Sequence, residues 1–86
     1  MPLKVEMVLT TQKVWAGEAS TVVLRTLDGE IGILPGHSPL LAVLGDGPVI
    51  VRASDGSEVK ARVNGGFVTV DSDNVIILGE EVSTAD

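Results

Sequence analysis

Apolar and polar residues alternate in short runs along most of this chain of 86 residues. The alternation is clearest from Leu3 to Leu9 and from Glu58 to Val63, where every second residue is apolar, as on a strand with one buried face. Turn residues such as Asp28-Gly29 separate the runs at intervals of roughly 8–12 residues. No long window has the apolar period of a helix. The pattern therefore predicts an all-β sandwich or barrel, without the crossover helices of a parallel sheet.

Glycines divide some of these runs into shorter pieces. Gly17 ends a short run that contains Trp15, and Gly65-Gly66 separates Glu58–Val63 from Phe67–Val70. Glycine within a strand pattern often marks a bulge or a close approach of backbone, so we expect separate strands on either side. Trp15 is expected to pack against the core at one end of the sandwich, and an interface anchor is the alternative.

Two runs, Leu40–Leu44 and Val75–Leu78, are apolar on both faces. A strand in a two-layer sandwich needs only one apolar face, since its other face meets water. The second faces of these runs are therefore predicted to be covered by another loop or by a partner chain.

The composition narrows the functional classes. The net charge is −6 and the six Lys and Arg residues are scattered, which disfavours binding to nucleic acid or to an anionic membrane surface. Cysteine is absent, so no disulfide or thiolate chemistry is available. No signal peptide and no apolar run of roughly 20 residues is present. We expect a cytosolic protein without membrane insertion, folded as one domain over residues 1–86, with an acidic, frayed tail from Gly79 to Asp86.

The segment from Asp28 to Leu41 combines three glycines, two prolines and the single histidine with apolar residues between them. It predicts a turn, a very short strand and a rigid corner at the surface. His37 is expected to hydrogen-bond within the Pro35-Gly36 turn, and contact with a partner is the second interpretation. A metal site is disfavoured because no other His or Cys stands nearby. A hydrolase that uses His37 is a remote alternative, since the G-x-S-x-G motif is missing.

The remaining loops carry weaker signals. Gly45-Asp46-Gly47-Pro48 lacks the Lys-Ser/Thr that follows a phosphate-binding loop. The pairs Asp71 and Asp73, and Glu80 and Glu81, lack the spacing of an EF-hand, so solvated acidic turns are favoured over calcium sites. No catalytic residue, cofactor site or metal site is predicted.

Three blocks of the sequence follow one another in a characteristic order. The most specific is D-G-E-I-G-I-L-P-G-H-S-P-L-L at Asp28–Leu41; the others are V-W-A-G-E-A at Val14–Ala19 and V-N-G-G-F-V-T-V at Val63–Val70. Together with a closing strand at Val75–Leu78, they resemble the epsilon subunit family of bacterial and chloroplast rotary ATP synthases. The block at Asp28–Leu41 is similar to the family core G-[DE]-[FLI]-G-[VI]-L-P-G-H-x-P-L, and the order and spacing of the three blocks match the family over nearly the whole chain.

The resemblance implies a flattened β-sandwich or barrel of about ten short, mostly antiparallel strands. It also implies a non-catalytic subunit of the central stalk, without a cofactor, at the cytoplasmic face of the bacterial plasma membrane. Such a subunit binds gamma and the membrane c-ring, and it couples proton-driven rotation to ATP synthesis in the alpha/beta head. The interface residues implied by position are Glu30, Ile31, Pro35, Gly36, His37 and Ser38. Structural roles fall to Gly29, Gly32, Gly65, Gly66, Trp15 and Phe67.

Long members of the family continue into a pair of C-terminal helices. This sequence ends at Asp86, just past the last expected strand, so we expect it to lack that hairpin and its regulation. The alternative to the rotor role is a stand-alone β-sandwich module for a peptide or small ligand. That alternative requires a concave pocket with converging polar groups.

Overall fold

Strands make up most of the chain. The computed structural model describes residues 2–9 and 12–84, with side chains as far as Glu81. Within these ranges there is no helix, and hence none long and apolar enough to cross a membrane. The strands are β1 (Leu3–Leu9), β2 (Gln12–Thr26), β3 (Gly29–Ile33), β4 (Leu40–Val43), β5 (Gly47–Ala53), β6 (Glu58–Asp71) and β7 (Asn74–Thr84). The predicted all-β sandwich is confirmed, but it has seven strands rather than about ten.

The number of strands is lower because glycines bend two long strands without ending them. β2 continues through Gly17, which pairs with Val5 on β1. β6 continues through Gly65 and Gly66, and Gly66 pairs with Gly79 on β7. The prediction of separate strands at these glycines was therefore wrong, since the ladder of hydrogen bonds on one side persists through the bend.

The end of β7 is also more regular than the sequence suggested. The segment after Gly79 was predicted to fray, but its backbone as far as Thr84 is paired with β6, where Thr84 lies opposite Ala61. Pairing on an existing strand edge orders this segment despite its small and acidic residues. Ala85 and Asp86 lie outside the described residues.

The strands close into a ring of pairings. Neighbours follow the order β1-β7-β6-β5-β2, and β2 returns to pair with β1. The β1–β7 pair is parallel and the others are antiparallel. The first half of β2 pairs with β1 and its second half with β3, while β6 pairs first with β5 and then with β4. β2 and β6 therefore change pairing partner along their length and connect the two layers of the sandwich. β3 pairs with β2, and β4 pairs with β6.

One aliphatic core fills the space between the layers. Side chains alternate along β1, where Leu3, Val5 and Met7 are almost completely buried. Burying one such side chain contributes about 1.5–3 kcal/mol, so this alternation selects the register of each strand. Trp15 is partly buried and packs against the core, as expected from the sequence. The other large buried side chains include Leu24, Ile33, Val51, Val63, Val68 and Ile77.

Candidate protein interface

The loop from Leu34 to Ser38, called the contact loop below, is a tight turn between β3 and β4. The N–H of His37 donates to the carbonyl oxygen of Leu34 at 3.1 Å, with Pro35 and Gly36 between them. Gly36 has a φ of 86°, which the third position of a type II turn requires, while proline suits the second position. The rigid corner predicted from the sequence is therefore observed.

His37 is half-buried beside this turn. Its Nδ1 lies 2.7 Å from the carbonyl oxygen of Ser38, so the ring donates its Nδ1 hydrogen there. This contact leaves Nε2 as the acceptor of the neutral ring. The ring of the single histidine thus contacts the carbonyl group of its own neighbour, whereas the sequence predicted a bond within the Pro35-Gly36 turn; only the backbone N–H of His37 closes that turn.

A carboxylate from a distant turn holds the contact loop from outside. The N–H of Gly36 donates to Oδ1 of Asp73 at 2.8 Å, across 37 residues of sequence. Asp73 and Ser72 form the turn between β6 and β7, with φ values of 64° and 49°. The carbonyl oxygen of Asp73 also accepts the N–H of Lys4 at 2.8 Å. One turn therefore fixes both the contact loop and the beginning of β1.

Glu30 and Ile31 are the second and third residues of the five-residue strand β3, which precedes the contact loop. At about 3.3 Å per residue, roughly 13 Å separate Gly29 from Ile33. Glu30 is exposed and lies opposite Arg25 on β2. Ile31 is half-buried and packs against the core, which leaves less of its side chain for a partner. The residues implied as an interface thus comprise two on β3 and four in the loop that follows it.

An apolar surface lies on the outer face of β4, β6 and β7. Directly opposite residues share one face of a sheet, and Phe67 pairs with Val43 on one side and with Leu78 on the other. In the next row Thr69 on β6 lies between Leu41 and Ile76. These residues, Leu41, Val43, Phe67, Ile76 and Leu78, are called the outer apolar face.

The outer apolar face is open to solvent. Leu41 is 72 % exposed, Val43 56 %, Ile76 43 % and Phe67 41 %. The sequence predicted that the second faces of these strands would be covered by a loop or by a partner chain. The exposed fractions show that no described residue of this chain covers them, so the loop interpretation is wrong.

Charged residues border the outer apolar face on β1 and β2. Glu6 lies beside Ile76 on the neighbouring strand, and Lys13 Nζ is 3.2 Å from Glu6 Oε2. An exposed ion pair of this kind adds little to stability. An apolar centre with a charged border is the usual composition of a protein–protein interface.

Phe67 and its neighbours are the residues that sequence reasoning placed incompletely. Phe67 was assigned a structural role, yet 41 % of its surface is exposed on the outer apolar face. Leu41, Val43 and Ile76 were not named as interface residues. Their signal was the doubly apolar pattern of their strands, whereas the run around Phe67 reads as an ordinary half-buried strand.

One hollow on the described part of the surface has a lining of mixed charge. A shallow hollow of about 510 Å³ lies on β1, β2 and β7, and its charged groups are Lys4, Glu6, Lys13 and Glu18. Opposite charges alternate there and Lys13 already pairs with Glu6, so no converging set of like groups faces the hollow. In the part of the chain that the structure describes, no three His, Asp or Glu side chains group closely enough to hold a metal ion.

Comparison with known sequences gives a match over almost the whole chain. Residues 2–85 match the family described as ATP synthase, Delta/Epsilon chain, beta-sandwich domain. The ATP synthase epsilon chain of Micrococcus luteus is 52 % identical over 84 residues, which cover 98 % of this chain and 92 % of that protein. The epsilon chain of Streptomyces avermitilis is 49 % identical over 98 % of this chain and 68 % of its own length.

Solved structures show the same fold at low identity. A chain of the Euglena gracilis mitochondrial ATP synthase superposes with a TM-score of 0.90 and 22 % identity over 96 % of this chain. A chain of the Tetrahymena thermophila mitochondrial ATP synthase central stalk and c-ring assembly gives 0.81 and 20 %. This chain spans about half of the first structure's chain, 53 %, and 66 % of the second.

Proposed function

Since this chain belongs to the delta/epsilon β-sandwich family of ATP synthase, we propose that it is the epsilon subunit of the central stalk. In this role it binds gamma and the c-ring and couples proton-driven rotation to ATP synthesis, at the cytoplasmic face of the plasma membrane. The subunit carries out no bond chemistry. The observation that carries the proposal is the outer apolar face, which no described residue of this chain covers.

Gamma is the partner that we assign to the outer apolar face. Four of its large apolar side chains are 41 % exposed or more, and contiguous exposed apolar surface of this kind marks interaction sites in soluble proteins. The contact loop leads through Pro39 into β4, which carries Leu41 and Val43. Pro35, Gly36, His37 and Ser38 therefore border the same face and would meet gamma at its edge.

The c-ring is assigned to the Glu30 end of β3. Glu30 is exposed and stands next to the Asp28-Gly29 turn, at the end of β3 farther from the contact loop. A carboxylate at that tip suits basic groups in the polar loops of a ring. Charges at the rim of an interface mainly set orientation and association rate, so Glu30 would align the subunit on the ring more than anchor it.

Torque transfer requires a stiff body between these two contacts. The ring of pairings through β1, β7, β6, β5 and β2 leaves few independent strand motions. The type II turn and the bond from Gly36 to Asp73 stiffen the contact loop in the same way. The closed sandwich is thus suited to move as one piece with gamma.

The assignment of gamma is tested by affinity capture of the cognate gamma subunit on the immobilised chain. The wild type should retain gamma, and Val43→Asp should lose most of it because a charge would be buried against apolar surface. Ser54→Asp is the matched control, since it adds the same side chain at an exposed turn outside the face. A wild type that does not retain gamma, or equal retention by both variants, would contradict the assignment.

The assignment of the c-ring is tested in the assembled enzyme. Glu30→Arg should reduce the ATP-driven proton pumping of reconstituted vesicles while gamma retention stays near the wild-type value. His37→Glu should instead weaken gamma retention, because it adds charge at the border of the outer apolar face. If Glu30→Arg lowered gamma retention and left pumping intact, the assignment of the c-ring to the Glu30 end of β3 would be contradicted.

A further inference from the structure

The turn between β6 and β7 places two residues other than glycine in a backbone conformation that favours glycine. Ser72 and Asp73 both lie in the left-handed region, with φ values of 49° and 64°. A two-residue hairpin with this geometry prefers glycine, above all at its second position. Asp73 stands where glycine would fit with less strain, and an unfavourable conformation that persists often marks a functional constraint.

The carboxylate of Asp73 contacts the one peptide group that defines the contact loop. Type I and type II turns differ by a flip of the peptide between their second and third residues. In the contact loop that peptide joins Pro35 to Gly36, and its N–H is the group that donates to Asp73 Oδ1 at 2.8 Å. A flip to type I would turn this N–H away from the carboxylate.

We propose that Asp73 is a positioning residue that selects the type II form of the contact loop. By accepting the Gly36 N–H, it keeps the Pro35–Gly36 peptide in one orientation and so presents His37 and Ser38 in one shape. The consequence for binding rests on the proposed function, since it assumes that this loop borders the gamma interface. Without Asp73 the loop would populate both turn types, and gamma would bind only the fraction in the correct one.

Three variants separate positioning from folding. Asp73→Gly removes the acceptor and suits the left-handed φ. The fold should therefore keep its stability, while the contact loop loses its hydrogen bond to the turn between β6 and β7. Asp73→Asn keeps an oxygen acceptor on a residue that tolerates this φ. Asp71→Asn is the matched control: it changes the same charge in the same turn, and the side chain of Asp71 contacts Ser72 and not the contact loop.

The first measurement is hydrogen exchange and chemical shift of the Gly36 amide in the full chain. Asp73→Gly should speed exchange by roughly tenfold, the equivalent of one lost hydrogen bond, and should shift the amide proton upfield. Asp73→Asn should restore most of the protection, and Asp71→Asn should leave the amide unchanged. Unchanged exchange in Asp73→Gly would overturn the proposal.

The second measurement is the affinity for gamma beside the midpoint of urea unfolding. Asp73→Gly should weaken affinity about three- to tenfold at a midpoint near that of the wild type, and Asp73→Asn should recover it. A fall in midpoint and affinity together, without rescue by Asn, would mean a purely structural role and overturn the proposal. If the wild type did not bind gamma at all, the proposed function would fail, and the exchange measurement alone would still decide whether Asp73 positions the loop.

Discussion

Gly66 on β6 lies so close to the carbonyl oxygen of Leu78 on β7 that no side chain fits between them. A Cβ placed on Gly66 would overlap that oxygen. The φ of Gly66 is 109°, a value that residues other than glycine rarely adopt. The carbonyl oxygen of Gly66 accepts the N–H of Leu44 at 2.9 Å. At this point the pairing of β6 with β5 has ended and its pairing with β4 begins. The close approach therefore lies at the bend of β6 between the two layers.

Gly66→Ala should therefore destabilise the protein severely. Backbone strain alone costs about 1–3 kcal/mol, and the overlap with backbone atoms of β7 adds to it. We expect a loss of more than about 3 kcal/mol in the free energy of unfolding, a large part of a typical total of about 5–15 kcal/mol. Urea unfolding measures it. Gly32→Ala is the control, because that site on β3 is open and should change stability by less than about 0.5 kcal/mol; equal effects would contradict this account.

The sequence predicted the strand class and most strand positions because side-chain alternation follows burial directly. It did not predict that β2 and β6 each run through their glycines. Gly17, Gly65 and Gly66 look like strand breaks locally, and only pairing with distant strands shows that the chain continues. Such pairing depends on residues far apart in sequence, and a local pattern does not contain it.

The sequence predicts those parts of the candidate site that depend only on residues adjacent in the chain. The turn at Pro35 and Gly36 follows from residue types that fix φ, and it was recognised. Its bond to Asp73 joins residues 37 positions apart and has no local signal. The exposure of Phe67 has no local signal for a related reason, since whether a strand's second face is covered depends on the whole assembly of layers.

Phe67 should be a main contributor to binding gamma. It lies in the middle of the outer apolar face, flanked by Val43 and Leu78, and central aromatic residues commonly dominate interfaces. Phe67→Ala should weaken gamma binding by about 30-fold or more and lower stability by only about 1 kcal/mol, since much of the side chain is already exposed.

Titration calorimetry with gamma, alongside urea unfolding, measures both quantities. Phe67→Leu is the matched control, because it keeps an apolar side chain and should lose much less affinity. A Phe67→Ala protein that binds gamma as tightly as the wild type would place the interface elsewhere on the surface.

Trp15 should report any crowding at Gly17. A Cβ on Gly17 would stand 2.8 Å from Cζ2 of Trp15, so the indole ring lies across the glycine and Gly17→Ala must displace it. We expect a shift of the emission maximum to longer wavelength, because the displaced ring meets more water, and a loss of about 1–3 kcal/mol from overpacking. Trp15 is the only tryptophan, so the emission is unambiguous. Ala16→Ser, at the exposed neighbouring position, should leave the spectrum unchanged; a shift there as well would point to general loosening of the strand.

The turn between β5 and β6 should make a small pH-dependent contribution to stability through Asp55. The hydroxyl and the N–H of Ser57 donate to Asp55 Oδ1 at 2.6 and 2.9 Å. These bonds hold the pKa of the Asp55 carboxyl below its ordinary value of 3.8. Because the folded state has the lower pKa, the stabilisation is present above the ordinary value and is lost as the pH falls through the lowered one.

Asp55→Asn should therefore be less stable than the wild type near neutrality, and the two should converge in acid below the folded-state pKa of Asp55. Urea midpoints of both proteins across this range measure the difference. Ser57→Ala is the informative companion, since it removes the hydroxyl that contributes most to the lowered pKa and should flatten the pH dependence while Asp55 is still present. A difference between wild type and Asp55→Asn that persisted unchanged into acid would show that the carboxylate charge is not its source.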